Sequence, residues 1–265
     1  MQNEHETITI EPEEERHGKR VYLSFAALVG MLLLFFFFKT NWEDHVPVRQ
    51  IIIDGTAILS REDVLQIMQL PAHAMMYDID LAVIRKNILN NAYVKNVTVK
   101  RDAPSSLRVL IEERQPSAIL VVKNQDKTYY VDNEGVILPY SVTQETYDIP
   151  VISGVDTASE LKPGMKITNT DIQTALEIIR ASYLINEELY HRISEIHLRK
   201  GHDIILYSFE SAVPIIFGQG DVVKKMAKLN EFWKQVVSRM ETKNIRYIDL
   251  RYEEQVILSN YNSSL

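Results

Sequence analysis

YVKNVTVKRDAPSSLRVLIEER, residues 93–114, decides the fold of the segment that contains it. Its first part alternates around Val97 and Val99, its second at Leu107, Val109 and Ile111. Apolar residues two apart lie on one face of an extended strand. Ala103-Pro104-Ser105-Ser106 breaks the pattern, so the stretch predicts two strands joined as a hairpin. Its apolar face needs a cover, and the upstream residues supply one. VRQIIIDG (48–55) reads as a strand ending in an Asp-Gly turn. SREDVLQIMQL (60–70) opens with Ser60 and Asp63 at capping-box spacing, with Asp in place of the usual Glu or Gln. Val64, Leu65 and Met68 fall on one face, and Pro71 stops the helix. A second helix begins near Asp80, with Leu81, Ile84 and Ile88 in line. Residues 46–115 are therefore expected to form a β-α-α-β-β unit whose helices cover one face of a small sheet.

The pattern changes after Gln115-Pro116. SAILVV (117–122), KTYYVD (127–132) and GVILP (135–139) read as short strands, with a turn at Asp132-Asn133-Glu134-Gly135. Pro139, Pro150, Gly154 and Pro163-Gly164 punctuate a looser stretch. A helical pattern runs from Thr168 to Tyr183. ISEIHLRK (193–200), DIILYSF (203–209) and VPIIFG (213–218) read as strands. Val222, Met226, Leu229, Trp233, Val236 and Met240 repeat at steps of three and four, a strongly amphipathic helix. RYIDLRYEEQVIL (246–258) ends the pattern, and residues 259–265 are expected to be a disordered tail. The fold class is α+β. Residues 116–258 should form a mixed or antiparallel β-sheet domain with flanking helices.

Before both units lies VYLSFAALVGMLLLFFFF, residues 21–38, without a charge or a proline. A helix of that length covers ~27 Å, close to the ~30 Å hydrocarbon core of a bilayer. It ends in FFFFKTNWED with no Ala-x-Ala, unlike a cleaved signal peptide. It is expected to be an uncleaved transmembrane helix. Arg16, Lys19 and Arg20 precede it, and Lys39 stands alone just after it. Positive residues favour the cytoplasmic side, so the N-terminus should lie inside and residues 39–265 outside. Tyr22 and Trp42 sit where interfacial aromatics belong. Residues 1–20, rich in Glu, read as a solvated cytoplasmic tail.

The 265 residues include 29 Lys and Arg, 36 Asp and Glu and no Cys, and 46% are hydrophobic. Wholesale disorder is excluded by that hydrophobic share. A net charge of −7 argues against nucleic acid as a partner. Without cysteine there is no disulfide scaffold and no thiolate chemistry. The histidines form no HExxH, and His191, His197 and His202 have no carboxylate at a recognisable ligand spacing, so no metal is expected. FGQGD (217–221) lacks the P-loop spacing and reads as a tight turn with an N-cap at Asp221. Lys224, Lys225 and Lys228 read as the solvated face of the late helix. Serine-nucleophile signatures are absent. Neither a catalytic site nor a cofactor is expected.

The order of these features resembles the FtsQ/DivIB family of bacterial cell-division proteins. VRQIIIDGTAILSREDVLQIMQL resembles the first strand and helix of a POTRA domain, the β-α-α-β-β module. DIDLAVIRKNILNNAYVKNVTVKRDAPSSLRVLIEERQPSAIL resembles that family's passage from second helix to hairpin and into its β domain. VDNEGVILP, FGQGDVVKKMAKLNEFW and YIDLRYEEQVIL resemble its Asp-x-x-Gly turn, its late helix and its final strand pair. The resemblance implies a non-enzymatic scaffold of the division machinery at the septum, in the inner membrane with periplasmic C-terminal domains. It implies that the β domain binds the bitopic coiled-coil proteins FtsB and FtsL, and that the POTRA region meets other division components. The partner would add a strand beside the last β-strand. Tyr247, Ile248, Asp249, Leu250, Arg251, Tyr252, Glu254 and Val256 are then the candidate partner-binding residues, with Arg251, Tyr252 and Glu254 giving side-chain specificity. A rival reading is a POTRA protein handling polypeptides in export or outer-membrane assembly. An anchored cell-wall enzyme would need a visible nucleophile or base.

The topology can be checked directly. Protease added to spheroplasts should digest residues 40–265 and spare the N-terminal tail; a protected C-terminal region would overturn it.

Overall fold

The computed structural model of the protein describes residues 13–43, 46–123, 127–140, 147–156, 160–209, 213–239 and 244–261. The first element is one long helix, α1 (Glu13–Glu43). It begins eight residues before the expected span, within the segment read as a solvated tail. The stretch 13–20 contains Glu, Arg and Lys, residue types that sustain a helix well. The large apolar side chains described on α1 run from Tyr22 to Phe37 and are exposed, Leu23 by 77% and Phe36 by 68%. Among the described residues, no helix is long and apolar enough to cross a membrane. Residues 1–12 and 262–265 of the two expected tails lie outside the described residues.

The β-α-α-β-β unit forms as its pattern predicts. β1 (Gln50–Asp54) is followed by α2 (Arg61–Met68), α3 (Leu81–Leu89), β2 (Val94–Asp102) and β3 (Ser106–Glu113). The sheet order is β1-β3-β2, with β1 parallel and β2 antiparallel to β3. The capping box at Ser60 and Asp63 is complete, and Asp80 caps α3. Val64 and Met68 of α2 and Ile84 and Ile88 of α3 are buried against Val97, Leu107, Val109 and Ile111. One interaction was not legible in the pattern. The Glu113 carboxylate accepts the backbone N–H groups of Ala57, Ile58 and Leu59, each at 2.8 Å, and so fixes the turn from β1 into α2.

The second unit is a nine-stranded mixed sheet. Its strands are β4 (Pro116–Val122), β5 (Lys127–Asp132), β6 (Ile137–Pro139), β7 (Val151–Val155), β8 (Ile193–Arg199), β9 (Asp203–Ser208), β10 (Pro214–Ile216), β11 (Ile245–Asp249) and β12 (Ile257–Asn260). They lie in the order β12-β11-β10-β9-β8-β7-β4-β5-β6. Helices α4 (Thr170–Ile185), α5 (Glu187–Arg192) and α6 (Val222–Gln235) pack on one face. Two elements correct the sequence reading. The stretch expected to be loose contains β7, which pairs in parallel with both β4 and β8. A short helix, α5, precedes β8. The last strand also reaches Asn260, two residues beyond the limit expected at 258.

A joint links the two sheets. Tyr93 Oη donates to the Pro139 carbonyl at 2.6 Å, and Tyr93 packs with Tyr130 and Leu138. Burial, with Tyr147 and Tyr130 nearby, pushes the Tyr93 hydroxyl up to about 12. Arg114 donates to Asp132 at 2.6 Å and to Glu134 at 3.0 Å, and Lys95 meets Glu134 at 3.0 Å. Hydrogen bonds from Arg114 and then Lys95 hold the Glu134 carboxyl below its ordinary range.

Replacing Glu113 with Ala would leave three loop N–H groups unsatisfied. The expected loss is about 2–4 kcal/mol, from charge-assisted bonds worth more than neutral ones. Urea unfolding of the variant beside the parent chain checks this; a loss below half that range would mean that water replaces the carboxylate.

Candidate functional site

A nine-stranded open sheet has two edges, and backbone groups there must find a partner or stay available. At the β6 end each outward group is accounted for. Ile137 N–H donates to the Met165 carbonyl at 2.8 Å, and the Ile137 carbonyl accepts Gly164 N–H at 2.8 Å. Pro139, next outward by alternation, has no N–H, and its carbonyl takes the Tyr93 hydroxyl. The segment 164–167 therefore closes this edge, and Val136 bridges to Lys166 beside it.

At the other end is β12. Among the described residues no strand pairs with its outer side. The direction of its backbone groups follows from its neighbours. Leu250 N–H donates to the Ile216 carbonyl of β10, so by alternation Ile248 also points to β10 while Tyr247 and Asp249 point to β12. Asp249 lies opposite Ile257 and Tyr247 opposite Ser259, so Ile257 and Ser259 point inward. Tyr261 N–H, bonded to the Asn244 carbonyl at 2.9 Å, agrees with that phase. The N–H and C=O of Leu258 therefore point outward.

This arrangement divides the candidate residues. Tyr247, Ile248 and Asp249 stand on β11, which is interior because β10 pairs with its other side. The edge is β12, not β11. Ile248 and Leu250 are fully buried. Arg251, Tyr252 and Glu254 are exposed in the loop that joins the two strands, and Val256 is half-buried just before β12. Leu258, at the end of the stretch Val256 to Leu258 that the sequence offered as part of the edge, carries the outward backbone groups. A strand pattern alone does not tell an edge strand from its neighbour.

Charges organise the loop. Asp249 is only 3% exposed. Its Oδ1 accepts Arg251 N–H and Nε–H, both at 3.0 Å, and its Oδ2 accepts Arg251 Nη2 at 2.7 Å. Burial pushes the Asp249 carboxyl up, but the hydrogen bonds from Arg251 outweigh it and hold the group below the ordinary carboxylate range. The lysines of α6 are not simply a solvated face. Lys225 is buried, and its ammonium donates to the Phe217 carbonyl at 2.8 Å and to the Gln219 carbonyl. Burial and the neighbouring Lys228 lower its pKa. Lys228 donates to the Tyr252 carbonyl at 2.9 Å and to the Glu253 carbonyl at 2.5 Å. Asp221 caps α6, accepting Lys224 N–H at 3.0 Å.

Elsewhere, a cleft of about 690 Å³ is lined by Ser153, Glu195, His197, Asp171 and His202. Ser153 Oγ donates to Glu195 and meets His197 Nδ1 at 2.7 Å, while His202 Nδ1 lies 2.6 Å from Asp171. His191 instead pairs with Asp148 at 3.3 Å. The three histidines thus have separate partners. Among the described residues no group of three or more His, Asp or Glu could hold a metal ion.

A β-α-α-β-β module followed by a helix-backed mixed sheet, one terminal edge of which no described strand covers, defines a two-module protein of the POTRA-plus-β-domain class. Family models agree. One described as "POTRA domain, FtsQ-type" matches residues 46–114, and one described as "FtsQ/DivIB, C-terminal related" matches residues 117–259. The chain belongs to the FtsQ/DivIB family. The cell division protein FtsQ of Geobacter sp. (strain M21) is 29% identical over 202 residues, covering 76% of this chain and 71% of that protein. FtsQ of Geotalea daltonii is 27% identical over 205 residues, covering 76% and 70%. The cell division protein DivIB of Clostridium acetobutylicum is 21% identical over 220 residues, covering 81% and 83%.

The buried Asp249 makes the loop sensitive to acid. Its depressed pKa gives a stabilisation present above the unfolded carboxylate value, near ~4, and lost as pH falls through the folded value. Replacing Asp249 with Asn should cost about 2 kcal/mol at pH 7 and remove that part of the acid dependence. Denaturant unfolding at pH 7 and in the acid range tests this. Equal loss at both pH values would assign the effect to packing instead.

Proposed function

We propose that this protein is a non-enzymatic scaffold of the division machinery that receives a strand from an FtsB- or FtsL-like bitopic partner along β12. The observation that carries the reading is the asymmetry of the large sheet. One edge is closed by the chain's own segment 164–167, while β12 pairs only inward among the described residues. An edge strand offers unpaired N–H and C=O groups at the spacing an incoming strand needs, and alternate side chains then provide selectivity. Val256 and Leu258 would lie along the contact. Tyr252 and Glu254 would flank it from the loop. Arg251, folded onto Asp249 yet 53% exposed, keeps donor capacity for a partner carboxylate. Tyr247, Ile248, Asp249 and Leu250 would act from behind, as the support of the edge.

The scaffold would be anchored in the inner membrane by residues 21–38, with the N-terminus cytoplasmic and both C-terminal modules periplasmic at the septum. The exposed apolar side chains of α1 favour that anchor, since a helix presenting Leu23, Phe25 and Phe36 to water has no reason to be stable there. The POTRA module would meet other division components. The FtsQ-type match and relatives named as cell division proteins support this reading over polypeptide handling in export.

Two prolines separate edge from ladder. Leu258→Pro removes an outward donor and should leave thermal unfolding within a few degrees of the parent chain. Ser259→Pro removes an inward bond worth ~0.5–1.5 kcal/mol and distorts the ladder, so it should lower the midpoint. Titration of the full chain in detergent with the labelled periplasmic segment of the FtsB-like protein should show binding reduced at least about tenfold by Leu258→Pro. Full binding by a folded Leu258→Pro chain would mean that the partner strand docks elsewhere.

A further inference from the structure

We propose that Lys228 of α6 is a positioning residue for the edge strand β12, tying the loop before it to the body of the sheet. The proposal rests on the reading of β12 as the partner edge. Residues 251–255 of that loop are all exposed. A loop with so little burial is held by polar contacts or opens locally at small cost. It has two main anchors. The pair Arg251–Asp249 is local: its hydrogen bonds join residues two apart and shape the turn, and only the apolar stem of Arg251 reaches another element, at Gly218. Lys228 is different, because its ammonium crosses from α6 to the carbonyls of Tyr252 and Glu253.

The helix that carries Lys228 is itself immobilised. Met226, Leu229 and Trp233 are buried in the core under the sheet, and Asp221 caps the first turn. Lys225, buried one position behind Lys224, holds the turn before α6 through the Phe217 and Gln219 carbonyls. At Gly218 in that turn, with φ +68°, an added Cβ would lie 2.7 Å from Arg251 Cγ, so the turn and the loop are in direct contact. Lys224 and Glu254, 3.9 Å apart and both exposed, add little. The Lys228 contact is thus the polar link between a fixed helix and a loop that ends four residues later at Ile257. The ladder to β11 holds the strand itself, and the Lys228 link would hold the loop that leads into it, so that a strand adds to an edge already in place. Without the link, the cost of ordering the edge falls on the binding step.

The test uses the full chain in detergent and Lys228→Met, which keeps the apolar stem and removes the donors. Amide hydrogen exchange at Ser259 and Tyr261, whose N–H groups point inward, should quicken about tenfold. The global unfolding midpoint should stay at the parent value. Binding of the labelled FtsB-like segment should weaken about tenfold, and Lys228→Arg should restore both readouts. A merely structural lysine would shift global unfolding and leave the exchange of β12 in step with the rest of the sheet. Leu258→Pro, measured alongside, separates the two ideas. If it too leaves binding intact, the edge reading has failed and the positioning role with it. If it weakens binding while Lys228→Met changes neither exchange nor affinity, the edge stands and the positioning role is wrong.

Discussion

A backbone N–H or C=O taken from water needs a partner, and this constraint governs the large sheet from one end to the other. Seven of its nine strands are flanked on both sides, so the question is posed only at β6 and β12. At β6 the chain answers it three times: with Met165 and Gly164 on Ile137, with a proline that has no donor, and with a tyrosine hydroxyl on that proline's carbonyl. The closing tyrosine, Tyr93, belongs to the first module. The joint between the modules and the closure of one edge are therefore partly the same interaction. β12 receives no such treatment from the described residues, and the difference gives the molecule a direction.

The charges around β11 and α6 serve the backbone more than they serve each other. Lys225 and Lys228 donate to carbonyls, not to carboxylates. Asp249 accepts from its neighbour's N–H as well as from its guanidinium. Charge-assisted bonds of this kind are stronger than neutral ones and suit places where the chain leaves regular structure. The loop after β11 and the turn before α6 are two such places, and they touch at Gly218 and Arg251.

Much of this was legible in the residues. The first module was readable because each signal agreed with the next: the capping box at Ser60, the cap at Asp80 and the alternation of both hairpin strands. β7 was not. Its core residue Ile152 is fully buried, but Gly154 two positions later looks like a breaker. The glycine is there because β7 runs close to β8: a Cβ at position 154 would lie 2.2 Å from the Leu198 carbonyl oxygen, and its φ is +71°. A parallel strand between two neighbours gives no hairpin signal, so punctuation was mistaken for looseness. Lys225 was misplaced for another reason. Helical spacing assigns lysines to water, yet a flexible stem can lie in the core if carbonyls meet its end. The edge was legible only to within one strand, since β11 and β12 share the same kind of pattern. Their difference depends on β10, which precedes both in the chain and pairs only with the first.

The place of β12 in chain order has a consequence in time. A polypeptide emerges from its N-terminus onward, and domains acquire structure as they are completed. β12 follows every other strand of its sheet, and its inward bonds require β11, which in turn leans on β10. The β12 edge can therefore exist only once the rest of the sheet has been made and assembled. A chain ending before β12 would carry the joint, the cleft and most of the core, yet its sheet would end at β11, an edge with other side chains and another register. A partner that reads the side chains of β12 as well as its backbone would then meet them only on a finished molecule.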